Sequence, residues 1–378
     1  MICPRCLNED PNYFYEGSNG IYCRKCIKFK RQLINEETSI PDVYIKDDSY
    51  NYQLEYELTS HQKIISDKLS ELIMYDDVLI HCVCGAGKTE IVLKSISDAL
   101  KRKQKVAFAI SRRQVVLEIY HRLSNIFKNA KVIPICQGYT EDLEGDLIVC
   151  TTHQLYRFPK TFDLLILDEP DAFPYKGDEV LKGIALNSVK GNMIYSTATL
   201  DDYLINRINN NTIKYLTLNK RPHTYPLPYP KVITSFKLKL HYELIKFIKS
   251  HDQLIIVFVP TKKLAIKLSK LYANVFSCNY INSDSIDKDI IIDKFKKFEY
   301  KVLFATTVLE RGITIPNVLV VIMYGEHIVF DEASLIQMLG RVGRSFNAPT
   351  GDCLILNNRK NITTIKALKE INRANNAV

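Results

Sequence analysis

Long apolar runs are missing from this 378-residue chain. No uninterrupted stretch reaches the roughly 20 residues that a spanning helix needs, which excludes a helical membrane protein. The opening residues, MICPRCLNED, lack the basic-then-apolar order of a secretory leader, so a cytoplasmic protein is expected. A disulfide framework is missing too. Of the 10 cysteines, four fall in two CxxC pairs and the rest are scattered, which in a cytosolic chain favours metal binding. What remains is the composition of an ordinary folded protein, 46% hydrophobic and 25% charged, with room for two or three domains. A net charge of +9 suits a polyanionic partner without requiring one.

The most informative stretch is LIHCVCGAGKTEIVL, Leu79 to Leu93. A short apolar run leads into Cys84-Gly85-Ala86-Gly87-Lys88-Thr89, and an apolar, helix-favouring segment follows. This is the strand–loop–helix order of a phosphate-binding loop. Glycines let the backbone approach phosphates, and N–H groups at the helix start point at the anion. Lys88 would reach the β- and γ-phosphates, and Thr89 would place its hydroxyl on Mg²⁺. One position departs from the strict pattern, because Cys82 stands where the first glycine is expected.

Near the N-terminus, Cys3 and Cys6 are separated from Cys23 and Cys26 by sixteen residues, the spacing of a closed tetrahedral Zn²⁺ site. A segment this short cannot bury a useful core, so the metal would supply its stability. Arg5, Arg24, Lys25, Lys28, Lys30 and Arg31 lie among Tyr13, Phe14, Tyr15 and Tyr22. That mixture either holds single-stranded nucleic acid by charge and stacking or forms a solvated basic face over a small aromatic core, and the sequence leaves both open.

Residues 35 to 57 are polar and read as a linker. Thr59 is the expected N-cap of a helix over Ile64–Met74, and Gln62 would read an adenine edge. From Leu79 to about Leu218, β-branched runs at Val106–Ile110, Val132–Ile135, Leu147–Cys150, Leu164–Leu167 and Met193–Ser196 alternate with helix-period runs. Such alternation predicts an α/β fold whose parallel sheet is covered by helices, with ligands at the strands' carboxyl ends. The Pro-rich stretch Asn219 to Pro230 reads as an interdomain linker, and the alternation then resumes to about Leu356 without a clear sequence repeat. The expected domains are therefore 1–34, 35–218 and 219–378.

An apolar strand ends in Asp168-Glu169-Pro170-Asp171. Asp168 would hold Mg²⁺, and Glu169 would orient and polarise an attacking water. Ser196-Thr197-Ala198-Thr199 follows the next strand and could link the nucleotide site to a second ligand. In the second half, Thr306-Thr307-Val308-Leu309-Glu310-Arg311-Gly312 follows a strand, and Gln337 to Arg344 covers a helix and its end. Arg341 and Arg344 could meet a γ-phosphate as its charge redistributes.

Six motifs in this order, from Gln62 through Gly85–Thr89, Asp168–Asp171, Ser196–Thr199 and Thr306–Gly312 to Gln337–Arg344, make residues 58 to about 357 resemble a superfamily 2 helicase or translocase. The cysteine pairs in front, CGAGKTE, the run Ala172-Phe173-Pro174-Tyr175 and LERGIT-PNV resemble the ComFA family, late-competence proteins that drive transforming DNA into Gram-positive cells. Pro170 departs from the aliphatic residue more usual there. The resemblance implies two RecA-like lobes behind a zinc module, with ATP, Mg²⁺ and Zn²⁺ as cofactors. It gives Ser111, Arg112, Arg113, Thr151, Thr152, His153, Pro260, Thr261, Thr306 and Thr307 to the DNA backbone. Nucleotide contacts fall to Gln62, Gly85, Ala86, Gly87, Lys88, Thr89 and Gly312, and chemistry to Lys88, Asp168, Glu169, Gln337, Arg341 and Arg344.

The expected activity is ATP-dependent movement along single-stranded DNA, with ATP bridging the two lobes. Most of the implied contacts are hydroxyl or basic groups on loops, so binding should be sequence-independent and salt-sensitive. The resemblance further implies a phosphoribosyltransferase-like partner and a membrane DNA channel at the inner face of the cell membrane, and it leaves room for a homo-oligomer. A replication-restart or repair helicase, an RNA helicase, and a zinc-anchored DNA-binding adaptor with ATP as a switch are the competing readings.

Overall fold

The computed structural model describes residues 1–35, 52–54, 57–311 and 315–376. Gly312 and most of the 35–57 stretch lie outside them. The chain divides into two compact units, Met1–Cys82 with Gly87–Leu218, and Val83–Ala86 with Asn219–Val378.

The first unit opens with an antiparallel hairpin, β1 (Phe14–Gly17) and β2 (Gly20–Cys23). It continues through α1 (Ser60–Leu72), β3 (Val78–Cys82), α2 (Lys88–Lys101), β4 (Val106–Ile110), α3 (Arg113–Ile126), β5 (Val132–Ile135) and β6 (Leu147–Thr151). Then follow β7 (Phe162–Asp168), α4 (Glu179–Ser188), β8 (Val189–Thr197), α5 (Asp202–Asn209) and β9 (Lys214–Leu218). Seven parallel strands run in the order β5-β6-β4-β7-β8-β3-β9. Central strands such as VAFAI in β4 are buried throughout, as a parallel sheet covered on both faces requires. Thr59 caps α1 in a reciprocal box: its hydroxyl accepts from Gln62 N, and the Gln62 side chain accepts from Thr59 N.

The second unit holds β10 (Lys231–Thr234), α6 (Lys237–Lys249), β11 (Leu254–Phe258), α7 (Lys262–Tyr272), β12 (Cys278–Ile281) and α8 (Lys288–Lys296). Beyond these come β13 (Val302–Ala305), β14 (Val318–Met323), α9 (Glu332–Leu339), β15 (Cys353–Asn357) and α10 (Ile362–Asn376). Its six strands are also all parallel, ordered β10-β15-β14-β11-β13-β12. The expected α/β class with two parallel sheets is therefore present. β1, β2, β9, β10, β12, α5 and α10 were not anticipated from the sequence pattern.

Residues at the N-terminus are joined to the first unit's core. Cys3, Cys6, Cys23, Cys26 and Phe29 share one buried cluster with Leu155, Phe158, Leu181 and Ile184. A Cβ on Gly183 of α4 would sit 1.9 Å from the Cys6 carbonyl oxygen, so only glycine permits this approach. Asn187 Nδ2 donates to the Pro4 carbonyl at 2.9 Å, and Lys28 pairs at 2.9 Å with Asp178, the N-cap of α4.

Candidate active site and cysteine cluster

The order β7-β8-β3 sets three strand ends side by side in the first unit. After β3, Gly85 and Gly87 both take φ of 81°, a backbone open to glycine, and α2 starts at Lys88. A side chain at Gly87 would collide with Gln62 Nε2 at 2.5 Å. The Gln62 amide thus lies against the loop while its oxygen serves the α1 cap. Cys82, in the position of the missing glycine, is buried at the end of β3, and burial pushes its thiol up to about 12. It acts there as a small apolar residue.

At the end of β7, Asp168 Oδ1 is buried and, among the described residues, has no hydrogen-bond partner. Burial pushes this carboxyl up to about 6, with the Lys88 charge opposing the rise and Glu169 adding to it. An orphaned carboxylate oxygen in the field of Lys88, beside a helix N-terminus, fits a divalent cation shared with a phosphate. Glu169 has φ of 53°, in the left-handed region, and is held there because its N–H donates to Ser196 O at 2.8 Å. Asp171 is buried and ties β7 to the loop after β8. Its Oδ1 accepts from Thr197 Oγ1 at 2.7 Å and its Oδ2 accepts from Thr199 Oγ1.

His81 belongs to the same arrangement and was missed by sequence reasoning. Its Nε2 lies 3.2 Å from Ala198 O and its Nδ1 2.9 Å from Tyr215 Oη. The carbonyl can only accept, so Nε2 donates and Nδ1 accepts from the tyrosine. A lone histidine in a strand gave no signal for this.

In the second unit, Gln337 is buried on α9, whereas Arg341 and Arg344 lie in the turns beyond its end at Leu339. Arg344 Nε donates to Gly340 O at 3.0 Å. That turn is clamped by Arg221, which donates from Nη1 to Val342 O at 3.0 Å and Gly343 O at 2.9 Å, and from Nη2 to Gly340 O at 3.1 Å. Burial lowers the Arg221 guanidinium to about 10. His223 adds a bond from Nε2 to Gly343 O at 2.8 Å. Asn219–Pro230 is thus an anchored segment as well as a connection, and its prolines masked that role.

The residues assigned to DNA are distributed differently. Ser111, Thr151 and Thr152 are buried, Arg113 donates to Gln137 O at 2.8 Å, and Arg112 precedes α3. His153 is half-buried with its ring 6.1 Å from Phe29, and burial lowers its pKa. Pro260 is buried after β11, Thr261 caps α7, and Thr306 and Thr307 follow β13, half-buried. Arg311 is buried in a 3.0 Å pair with Glu310.

The four N-terminal sulfurs all lie within 4.8 Å of one another, with Cys3–Cys26 at 3.7 Å and Cys6–Cys23 at 3.9 Å. Tetrahedral Zn–S bonds of about 2.3 Å give sulfur–sulfur edges of about 3.8 Å, so the donor set fits. Hydrogen bonding between the thiols, with burial, pushes Cys6 upward and Cys26 to about 12. A cation among them is what would let all four ionise.

Residues 237–346 match the helicase conserved C-terminal domain, and residues 55–202 match the family described as type III restriction enzyme, res subunit. Competence protein ComFA of Streptococcus pneumoniae (strain ATCC BAA-255 / R6) is 33% identical over 394 residues, spanning 99% of this chain and 90% of that protein. Competence protein ComFA of Bacillus subtilis (strain 168) is 30% identical over 401 residues, spanning 99% and 85%. Among solved structures, S. cerevisiae Dbp5 bound to RNA and ADP BeF3 aligns with a TM-score of 0.64 at 18% identity, covering 83% of this chain and 88% of that one, a likeness of fold.

Proposed function

The chain belongs to the ComFA family and is an ATP-hydrolysing helicase or translocase that uses ATP with Mg²⁺, and from that premise we propose that it moves along single-stranded DNA to import it during competence. The observation that carries the coupling is the Asp171–Thr197–Thr199 network, which joins the acidic strand end to the neighbouring loop.

In this reading Lys88 and the first N–H groups of α2 bind the phosphates, and Gln62 holds the adenine edge. Thr89 and Asp168 hold Mg²⁺, which when bound supplies charge neutralisation at the phosphates. Glu169 orients the attacking water and accepts its proton. Gln337, Arg341 and Arg344 stabilise charge on the transferring phosphoryl group, and Arg221 keeps their turn in place. Backbone-gripping loops of both units, Ser111–Arg113, Thr151–His153, Pro260–Thr261 and Thr306–Thr307, hold the DNA. Cys3, Cys6, Cys23 and Cys26 hold Zn²⁺ in a structural role. A phosphoribosyltransferase-like partner and a membrane channel belong to the same reading through family membership alone. Among the described residues no helix is long and apolar enough to cross a membrane.

ATP hydrolysis measured alone and with single-stranded DNA, duplex DNA and RNA tests the proposal. Single strands should stimulate by about 5–150-fold, the range of a 1–3 kcal/mol coupling. Equal rates in all four conditions would end the translocase reading, and stimulation by RNA alone would move the chain to RNA remodelling. Thr197→Val should cut the stimulation by roughly 10–150-fold, since a bond to a charged group contributes about 1.5–3 kcal/mol. Its ATP affinity should stay native. Undiminished stimulation in that variant would remove Thr197 from the coupling path.

A further inference from the structure

We infer that the N-terminal module carries a second binding surface for single-stranded nucleic acid, made by Tyr13, Tyr15, Arg24, Lys25 and Arg31. The inference rests on the DNA-translocase reading and extends it.

The module's cations are used in two ways. Arg5 and Lys28 serve the fold. Arg5 is buried and donates to Lys30 O at 2.6 Å and Gln32 Oε1 at 2.9 Å, and Lys28 pairs with Asp178. Of the remaining four, Arg24, Lys25 and Arg31 stand over tyrosine rings of the module, as Lys28 also stands over Phe29. Arg24 lies 3.9 Å from the Tyr15 centroid, Lys25 5.3 Å from Tyr13, and Arg31 4.6 Å from Tyr22. Among the described residues none of the three has a carboxylate within ion-pair distance. A ring holds a cation in place without neutralising it, so its charge remains available to phosphates.

The hairpin also offers stacking surface. Tyr15 and Tyr22 are cross-strand partners with centroids 5.6 Å apart. Tyr22 is buried beneath Arg31, whereas Tyr13 and Tyr15 stay 40% and 45% exposed. Ordered cations beside exposed aromatic faces suit an unpaired strand, whose bases can stack and whose phosphates follow the charges. Duplex DNA hides its base faces and an acidic peptide has none, so single strands are favoured. The module that carries this surface packs beside the loop after β6, because its buried Phe29 lies 6.1 Å from His153 and 5.3 Å from Tyr156.

The test is fluorescence anisotropy of labelled oligo-dT with the zinc-loaded full chain over a salt series, with metal content measured for every variant. The triple change Arg24→Ala, Lys25→Ala, Arg31→Ala should keep its metal and its DNA-free ATPase. It should weaken binding about tenfold or more and flatten the log K against log salt slope by about 2, at roughly 0.7 per lost phosphate contact. Tyr13→Ala with Tyr15→Ala should weaken binding roughly tenfold with the slope unchanged, and Tyr→Phe at both should restore it. If the alanine set releases metal, the matching glutamine set keeps polar stems against the rings and gives the same readout. Native affinity and slope in a metal-retaining triple variant would overturn the inference while leaving the translocase reading intact, and a face used for protein docking would give that result. A wild-type chain that bound no oligo-dT would sink both.

Discussion

Glu169→Gln is expected to bind Mg·ATP at least as tightly as the wild type and to hydrolyse it roughly 10²–10⁴-fold more slowly, the usual contribution of a positioned general base. Glutamine keeps the shape and can still hydrogen-bond the water, but it cannot accept the proton. The backbone should not respond, because the left-handed conformation at position 169 is fixed by main-chain bonds: Glu169 N–H to Ser196 O at 2.8 Å and Ala172 N–H to Glu169 O at 2.9 Å. Affinity should hold or rise for an electrostatic reason. The Glu169 charge is among the influences that raise the Asp168 pKa. Its removal favours the ionised Asp168 carboxylate, the form that would hold the metal. Equilibrium nucleotide binding and single-turnover hydrolysis on one preparation separate these effects. Wild-type turnover in the variant would take Glu169 out of the chemistry.

Much of this site was legible because its residues sit at the ends of strands with unambiguous composition. LLILD in β7 and the run into Gly85–Thr89 announce buried parallel strands whatever their neighbours do. The Thr59 cap was equally readable, since its partner Gln62 is three residues away. Three of the missed strands share a feature. β9, β10 and β12 all lie at sheet edges, with one strand neighbour each. An edge strand mixes exposed and buried positions, as KYLTL in β9 does, and its apolar signal fades. Residues that act across long sequence distances were also hidden. Arg221 sits in a Pro-rich stretch that looks like a tether, yet its bonds reach Gly340–Gly343. Gly183 is a poor choice inside a helix by propensity, and only the Cys6 carbonyl against it explains its presence.

Removing the metal that we propose at Cys3, Cys6, Cys23 and Cys26 should unfold the N-terminal module and weaken the unit it packs on. Structural zinc contributes about 10–16 kcal/mol in small modules, comparable to or larger than the whole stability of a typical domain, so residues 1–35 have no other source of equal size. Without the ion, the four buried sulfurs would be left as thiols in mutual contact, and the segment would keep only its packing on α4, the Asn187–Pro4 bond and the Lys28–Asp178 pair. Once the module opens, Phe29 leaves His153 and Tyr156, and the Asp178–Lys28 pair is lost. Burial of one phenylalanine contributes about 1.5–3 kcal/mol. At about 2–4 °C per kcal/mol for a unit of this size, the Tm should fall by roughly 3–12 °C. The same loss uncovers apolar residues of the shared cluster, Leu181 and Ile184 on α4 among them, so the metal-free chain should also aggregate on heating. Limited proteolysis with metal analysis and a thermal melt, on chelated wild type and on Cys6→Ser, measures all of this. Cleavage should begin within residues 1–35 while the seven-stranded sheet persists. A chain stripped of metal that kept both its Tm and its protease resistance would show that packing against α4 alone maintains the module, and the cysteines would then be core residues rather than ligands.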